Sequence, residues 1–267
     1  MKKFLSIFVL MMFGISLSAC ADSRETLVVG LEAAYAPFNW STQTANEHTV
    51  RLDGQIGYAD GYDVVVAKYI AEKLNMKLVV KAIEWDGLIP ALQANTIDVI
   101  IAGMSPTAER ALTVNFSDIY YRSEQVMVVL KTSQYVNATS LTDFSGAKVV
   151  AQLGTLQDDL TDQIPNVNHL TPLESYGAIT QAVRSGEADA FLAELPVAQS
   201  IISTNSDLTY VQFDEENGFV VTDEQVSVSI AFRKSDTELL EQINEVLASI
   251  TTEQRNEWMN DALDRQN

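Results

Sequence analysis

The stretch WDGLIPALQANTIDVIIAG (residues 85–103) decides the fold, because the chain repeats it. Laid without gaps on YGAITQAVRSGEADAFLAE (residues 176–194), at an offset of 91, it matches at Ala91 and Ala182, Asp98 and Asp189, and Ala102 and Ala193. Apolar positions mostly fall on apolar positions. In each copy an aromatic residue precedes a helical pattern, and the helix feeds a short apolar run with an aspartate near its start. Strands alternating with amphipathic helices are the pattern of βαβ units and parallel sheets. One unit written twice implies two similar lobes rather than a single extended sheet. A weaker echo pairs LVVG (27–30) with KVVA (148–151).

Outward from the repeat, Asp63 is expected to cap a helix with Val66, Tyr69, Ile70 and Leu74 on one face, and residues 78–80 to return as strand. Asp86 is expected to cap the helix inside the first copy, and Asp236 to open a later one carrying Leu239, Leu240, Ile243, Val246, Leu247 and Ile250 on one side. Residues 41–61 hold His48, three glycines and no periodicity, and read as a long surface loop. Ligands of open α/β sheets bind beyond the carboxyl ends of the strands. Residues 30–35, 102–110, 151–157 and Glu194 lie at such ends, two groups in each expected lobe, and a cleft between the lobes would collect all four.

The run IDVIIAGMSPTAER (97–110) adds chemistry. An apolar strand ends in small residues, Ser105 and Thr107 open a helical turn, and Arg110 follows within one turn. Free N–H groups and a guanidinium converging on one point suit an anion, and an arginine fork matches a carboxylate in two parallel bonds. The plain alternative is a strand-to-helix turn with a surface arginine.

The chain has 267 residues, 47% of them hydrophobic, enough for one large or two medium cores. Lys2 and Lys3, the apolar residues 4–15 and the small-residue close LSAC (17–20) read as an export signal over residues 1–19, too short to span a membrane. Cys20 is the single cysteine, so no disulfide forms within the chain. LSAC resembles the bacterial lipobox, which would make Cys20 the lipidated first residue of the mature protein and 20–25 a short tether to the membrane. Net charge is −19, and −21 once Lys2 and Lys3 are removed. That excludes the positive footprint nucleic acid requires and favours cationic solutes.

Six motifs in order carry a resemblance: GLEAAYAPFNW (30–40), GYDVVVAKYIAEKL (61–74), WDGLIPALQANTIDVIIAGMSPTAER (85–110), VNFSDIYY (114–121), AQLGT (151–155) and AELP (193–196). With them the chain resembles the family-3 extracellular solute-binding proteins, the amino-acid-binding components of ABC importers. The resemblance implies an α/β fold of the two-lobed type II periplasmic-binding-protein kind. Two hinge strands would join the lobes and the ligand would sit in the interlobe cleft. Lobe 1 would comprise 26–122 and 228–267, lobe 2 123–227, with crossovers at 123–128 and 223–228.

The resemblance also implies roles. Arg110 matches the carboxylate-binding arginine, helped by N–H groups at Ser105 and around Thr155. Glu194 matches the acid for the α-ammonium, with the Gly103 carbonyl and Ser105 hydroxyl beside it. Tyr35 and Trp85 match the aromatics that sandwich the ligand side chain. Glu32 matches an acidic position for a distal amine or amide, and Gln152 a second-lobe contact. Ala102 and Gly103 stand where histidine and lysine–arginine binders often carry serines, and Leu156 where many relatives carry threonine. The expected ligand is a free polar amino acid, lysine or arginine first and glutamine second. A monomeric receptor anchored by lipid would deliver it to an ABC permease, with no cofactor, metal or catalytic residue. The competing readings are a dehydratase of the cyclohexadienyl or arogenate type, and a sensor that reports to a separate partner.

Overall fold

The computed structural model describes residues 24–266; the expected signal peptide and Cys20 lie outside the described residues. Two five-stranded sheets form the frame. The first runs in the order Lys77–Ala82, Thr26–Leu31, Val99–Ile100, Ser227–Phe232 and Asn115–Arg122. The second runs Asn168–His169, Lys148–Val150, Ala190–Glu194, Gln125–Leu130 and Leu208–Val211. In each, three parallel strands are followed by an antiparallel fourth that arrives from the other lobe. The two passages lie side by side, with the Ser123 N–H bonded to the Val226 carbonyl at 2.8 Å.

The repeat holds at atomic detail. Asp98 accepts from the Val28 N–H at 2.9 Å while its own N–H donates to the Val28 carbonyl at 2.7 Å. Asp189 does the same to Lys148, at 2.8 and 2.7 Å. Each aspartate therefore staples the start of one central strand to its neighbour. This corrects the weaker echo by one residue: Val28, not Leu27, is equivalent to Lys148. Strand pairing agrees, with Val29 opposite Val99 and Val149 opposite Ala190. A one-residue slip turns a strand's side chains to the other face. Counting from the staples, Glu32 is equivalent to Gln152.

Three local expectations change. Asp63 caps nothing: Gly61, at φ 128°, stands at the start of helix Tyr62–Lys73, and Asp63 turns inward, fully buried. Asp86 sits inside a 3₁₀ turn, Trp85–Gly87, that runs straight into helix Leu88–Gln93, so no extended residue is left to cap it. Residues 41–61 are not a loop. Short strands Asn39–Thr42, Val50–Arg51 and Tyr58–Asp60 join Ala34–Tyr35 in a four-stranded sheet, too brief to show a period of two. His169 lies on strand Asn168–His169, bonded to Asp158 and Asp162 at 2.8 Å each. Helix Thr237–Ala248 starts after Asp236 as expected.

Apolar clusters fill each lobe: one gathers Leu31, Val80, Leu88, Ile97 and Ile100, another Phe144, Val149, Leu160 and Leu192. A third runs across the junction, with Tyr35 against Tyr176 at 5.2 Å between ring centroids.

Candidate functional site

The carboxyl ends of the central strands face each other across a nearly closed slot with a cavity volume of about 10 Å³. Tyr35, Trp85, Gly103, Ser105 and Arg110 line it from the first lobe, and Gln152, Thr155, Leu156, Gln157, Tyr176 and Glu194 from the second.

Arg110 does not follow a helix N-terminus. Strand Val99–Ile100 is short, the chain stays irregular past Thr107, and Arg110 begins the 3₁₀ turn Arg110–Leu112. Pro106 has no N–H to give, and the Thr107 hydroxyl accepts from the Arg110 N–H at 3.3 Å, which replaces the expected helical turn. The guanidinium donates to the Ser105 carbonyl at 2.9 Å and to the Gly154 carbonyl of the opposite lobe at 3.2 Å. It also lies 5.1 Å from the Trp85 ring centroid, a cation–π distance. Burial pulls its pKa down to about 10. Trp85 is half-buried, and its indole N–H reaches the same Gly154 carbonyl at 3.0 Å.

Glu194 is 3% exposed and accepts from the Tyr35 hydroxyl across the cleft. Its burial pushes the carboxyl up to about 7, since an ionised acid loses its hydration there. Glu32, 7% exposed, accepts from Gln152 Nε2 at 2.9 Å, also across the cleft. Burial raises it to about 7 as well, with the Gln152 hydrogen bond opposing and the charge of Glu84 adding. Three charges thus meet at the cleft: a half-buried guanidinium bonded to carbonyls, and two buried carboxylates bonded to a hydroxyl and an amide.

Gly103 adopts φ 62°, and a Cβ there would stand 2.9 Å from the Tyr35 ring. Only glycine combines that backbone with that approach. Thr155 caps helix Leu156–Thr161, its hydroxyl accepting from the Asp158 N–H at 3.3 Å.

Residues 27–261 match the family of bacterial extracellular solute-binding proteins, family 3. The chain belongs to that family. As a solute-binding protein it is 31% identical, over 92% of either chain, to the arginine-binding extracellular protein ArtP of Bacillus subtilis. It shares a TM-score of 0.78 and 26% identity with an amino-acid ABC transporter substrate-binding protein from Streptococcus pneumoniae bound to L-arginine, covering 90% of this chain and 94% of that one. With an ancestral amino-acid-binding protein, a precursor of cyclohexadienyl dehydratase, the TM-score is 0.73 at 29% identity, covering 89% and 95%.

In this solute-binding protein the slot gathers Tyr35, Trp85, Gly103, Ser105, Arg110, Gln152, Thr155 and Glu194, with Glu32 behind Gln152. Ala102 is the exception, its side chain packed in the apolar cluster with Leu31 and Leu88. The two aromatics are already engaged: Trp85 with Arg110, Tyr35 stacked on Phe38 at 5.4 Å. Tyr176 and Gln157 were missed. Tyr176 had a signal, because it is the repeat's equivalent of Trp85; Gln157, inside a six-residue helix, had none.

Proposed function

We propose that the chain is the extracytoplasmic receptor of an ABC importer and captures a basic L-amino acid, lysine or arginine first and glutamine second, for delivery to the permease. One observation carries the reading: Glu194 and Glu32 are buried beside a half-buried Arg110, and among the described residues none of the three is ion-paired. Buried charges need partners of opposite sign. One cation and two anions are complemented by one anion and two cations, which is the zwitterion of lysine or arginine. In this reading Arg110 takes the carboxylate, Glu194 the α-ammonium, and Glu32 the distal head group, with the aliphatic stem against Trp85 and Tyr35. Glutamine satisfies the first two and uses Glu32 only as a neutral acceptor. Aspartate and glutamate are repelled. The lobes, 26–122 with 228–267 and 123–227, close over the ligand by bending at the two crossovers, and Cys20 carries the lipid that holds the monomeric receptor at the membrane.

A thermal-shift screen against the twenty amino acids tests it, because a ligand that binds only the native state raises Tm by mass action. Lysine or arginine should shift Tm most; a flat response to all twenty overturns the reading. Mass spectrometry of the mature N-terminus tests the anchor, and an unmodified residue 20 refutes it. The likeness to a dehydratase precursor favours one second reading, with Glu194 near neutrality as a general acid. Turnover of prephenate or arogenate would establish it.

A further inference from the structure

Two backbone turns deliver the first lobe's share of the slot apart from Trp85, and both pass through left-handed conformation. Ala33, next to Glu32, has φ 57°; Gly103, two residues before Ser105, has φ 62°. Glycine adopts that region freely, but alanine is held there only where its surroundings determine it. Ala33 donates its N–H to Asn39 Oδ1 at 2.7 Å, and Gly103 donates its N–H to the Tyr120 hydroxyl oxygen at 3.1 Å.

The two holds meet in one carboxylate. Asn39 Nδ2 donates to Asp63 Oδ2 at 2.8 Å, and the Tyr120 hydroxyl donates to Asp63 Oδ1 at 2.7 Å. Asn39, Asp63 and Tyr120 are all fully buried, and none lines the slot. The direction of every bond is forced. A backbone N–H can only donate, so the Asn39 oxygen faces Ala33 and its amide nitrogen must give outward. The Tyr120 oxygen already accepts from Gly103, so its hydrogen must also go outward. Only a group that accepts on both sides completes the relay, and an ionised carboxylate does so. Burial pushes the Asp63 carboxyl up to about 6, while the Tyr120 and Asn39 donors hold it down. A buried acid without a cation is costlier than an apolar side chain of the same size, so packing alone does not account for it.

We propose that Asp63 is a positioning residue for ligand binding: through Asn39 and Tyr120 it sets the turns that present Glu32 on one side and Ser105 and Arg110 on the other. The inference rests on the reading of the slot as an amino-acid site. It assigns a function to an acid that stands beside the start of helix Tyr62–Lys73 without capping it.

The test measures L-arginine and L-glutamine binding by calorimetry to the wild type, Asp63→Asn, Tyr120→Phe and the double variant, at a temperature where circular dichroism shows each to be folded. An asparagine at 63 turns one acceptor into a donor, so one arm of the relay breaks whichever way the amide points. Phenylalanine at 120 removes the Gly103 arm and leaves the acid. Asp63→Asn should weaken binding about tenfold or more, and Tyr120→Phe about three- to tenfold. The double variant should lose no more than the two single losses multiplied together. The Gly103 amide nitrogen shift should move in both single variants. Ile243→Val, buried in helix Thr237–Ala248, serves as the control: it should lower Tm yet leave the Kd within about twofold. Should Asp63→Asn fail to fold, Tyr120→Phe alone decides. Unchanged affinity in the folded variants, or an equal loss in the control, overturns the positioning role while the wild type still binds. A wild type that binds no amino acid overturns the site reading and this inference with it.

Discussion

Aligned through the strands that Asp98 and Asp189 staple, the lobes put Glu32 opposite Gln152, Trp85 opposite Tyr176 and Gly103 opposite Glu194. The staples and the sheet order are the same in both halves. The residues at the strand ends are not, and their differences interlock: Glu32 accepts from its own counterpart, Gln152, and the space left by glycine at 103 admits the Tyr35 ring whose hydroxyl reaches Glu194. The frame is duplicated while the chemistry has been divided between the copies. The first lobe alone extends past its strand end into the irregular segment that carries Arg110.

The sharpest way to break this division of labour is Arg110→Ala, which has no counterpart to compensate it. Removing the guanidinium leaves a desolvated ligand carboxylate, a loss of about 2–5 kcal/mol or roughly thirty- to several-thousandfold in Kd. Arg110→Lys should restore little, since an ammonium lacks the fork. Calorimetry giving the alanine variant a Kd within about threefold of wild type would refute the clamp.

Next in size is the pH dependence of the two carboxylates. Both have folded pKa values raised to about 7, so the protonated forms stabilise the free protein at low pH. That contribution is complete below about pH 4.5 and fades as pH rises to about 7. A cationic ligand needs the opposite, ionised forms. Its affinity should fall by up to about tenfold per pH unit below 7 for each carboxylate it engages, with protons released on binding near neutrality. Calorimetry in buffers of different ionisation enthalpy reads that release; its absence would detach both acids from the ligand.

Glu32→Gln makes the two equivalent positions identical and so tests the asymmetry directly. It should weaken lysine or arginine more than about tenfold, halve the steepness of the pH profile, and spare glutamine. Tight glutamine binding by the wild type, with none of lysine or arginine, would reverse the ligand ranking and leave transport standing.

The smallest effects should come where the lobes agree. Asp98→Ala and Asp189→Ala each leave a strand N–H without its acceptor and should lower stability by about 1–2 kcal/mol in denaturant melts. Asp98 should lose slightly more, because Arg233 stands 3.6 Å away. A marked loss in only one would show that the staples are not equivalent.

The repeat made the sheets and the lobe count legible, because buried strands and amphipathic helices impose periods of two and 3.6 on the sequence. The cleft was legible because both copies end at the same place. What escaped has common physical causes. Asp63 and Asp86 look like helix caps, yet a cap depends on backbone conformation just before the helix, which tertiary contacts fixed otherwise. Strands of two to four residues between 34 and 60 are too short for any period. Ala102 lies beside Gly103 in sequence, but both lie past the end of strand Val99–Ile100, where the backbone turns at Gly103 (φ 62°), so one packs into the core and the other lines the slot.

The bond from the Trp85 indole to the Gly154 carbonyl ties a chromophore of one lobe to the backbone of the other. The chain has three tryptophans; Trp40 lies against Arg265 and Trp258 against Tyr69, both within the frame rather than the slot. Trp85 is therefore a built-in optical gauge of lobe separation. With Trp40 and Trp258 replaced by phenylalanine, parting the lobes should wet the remaining indole and red-shift its emission. Stopped-flow fluorescence would then time closure in an unlabelled protein.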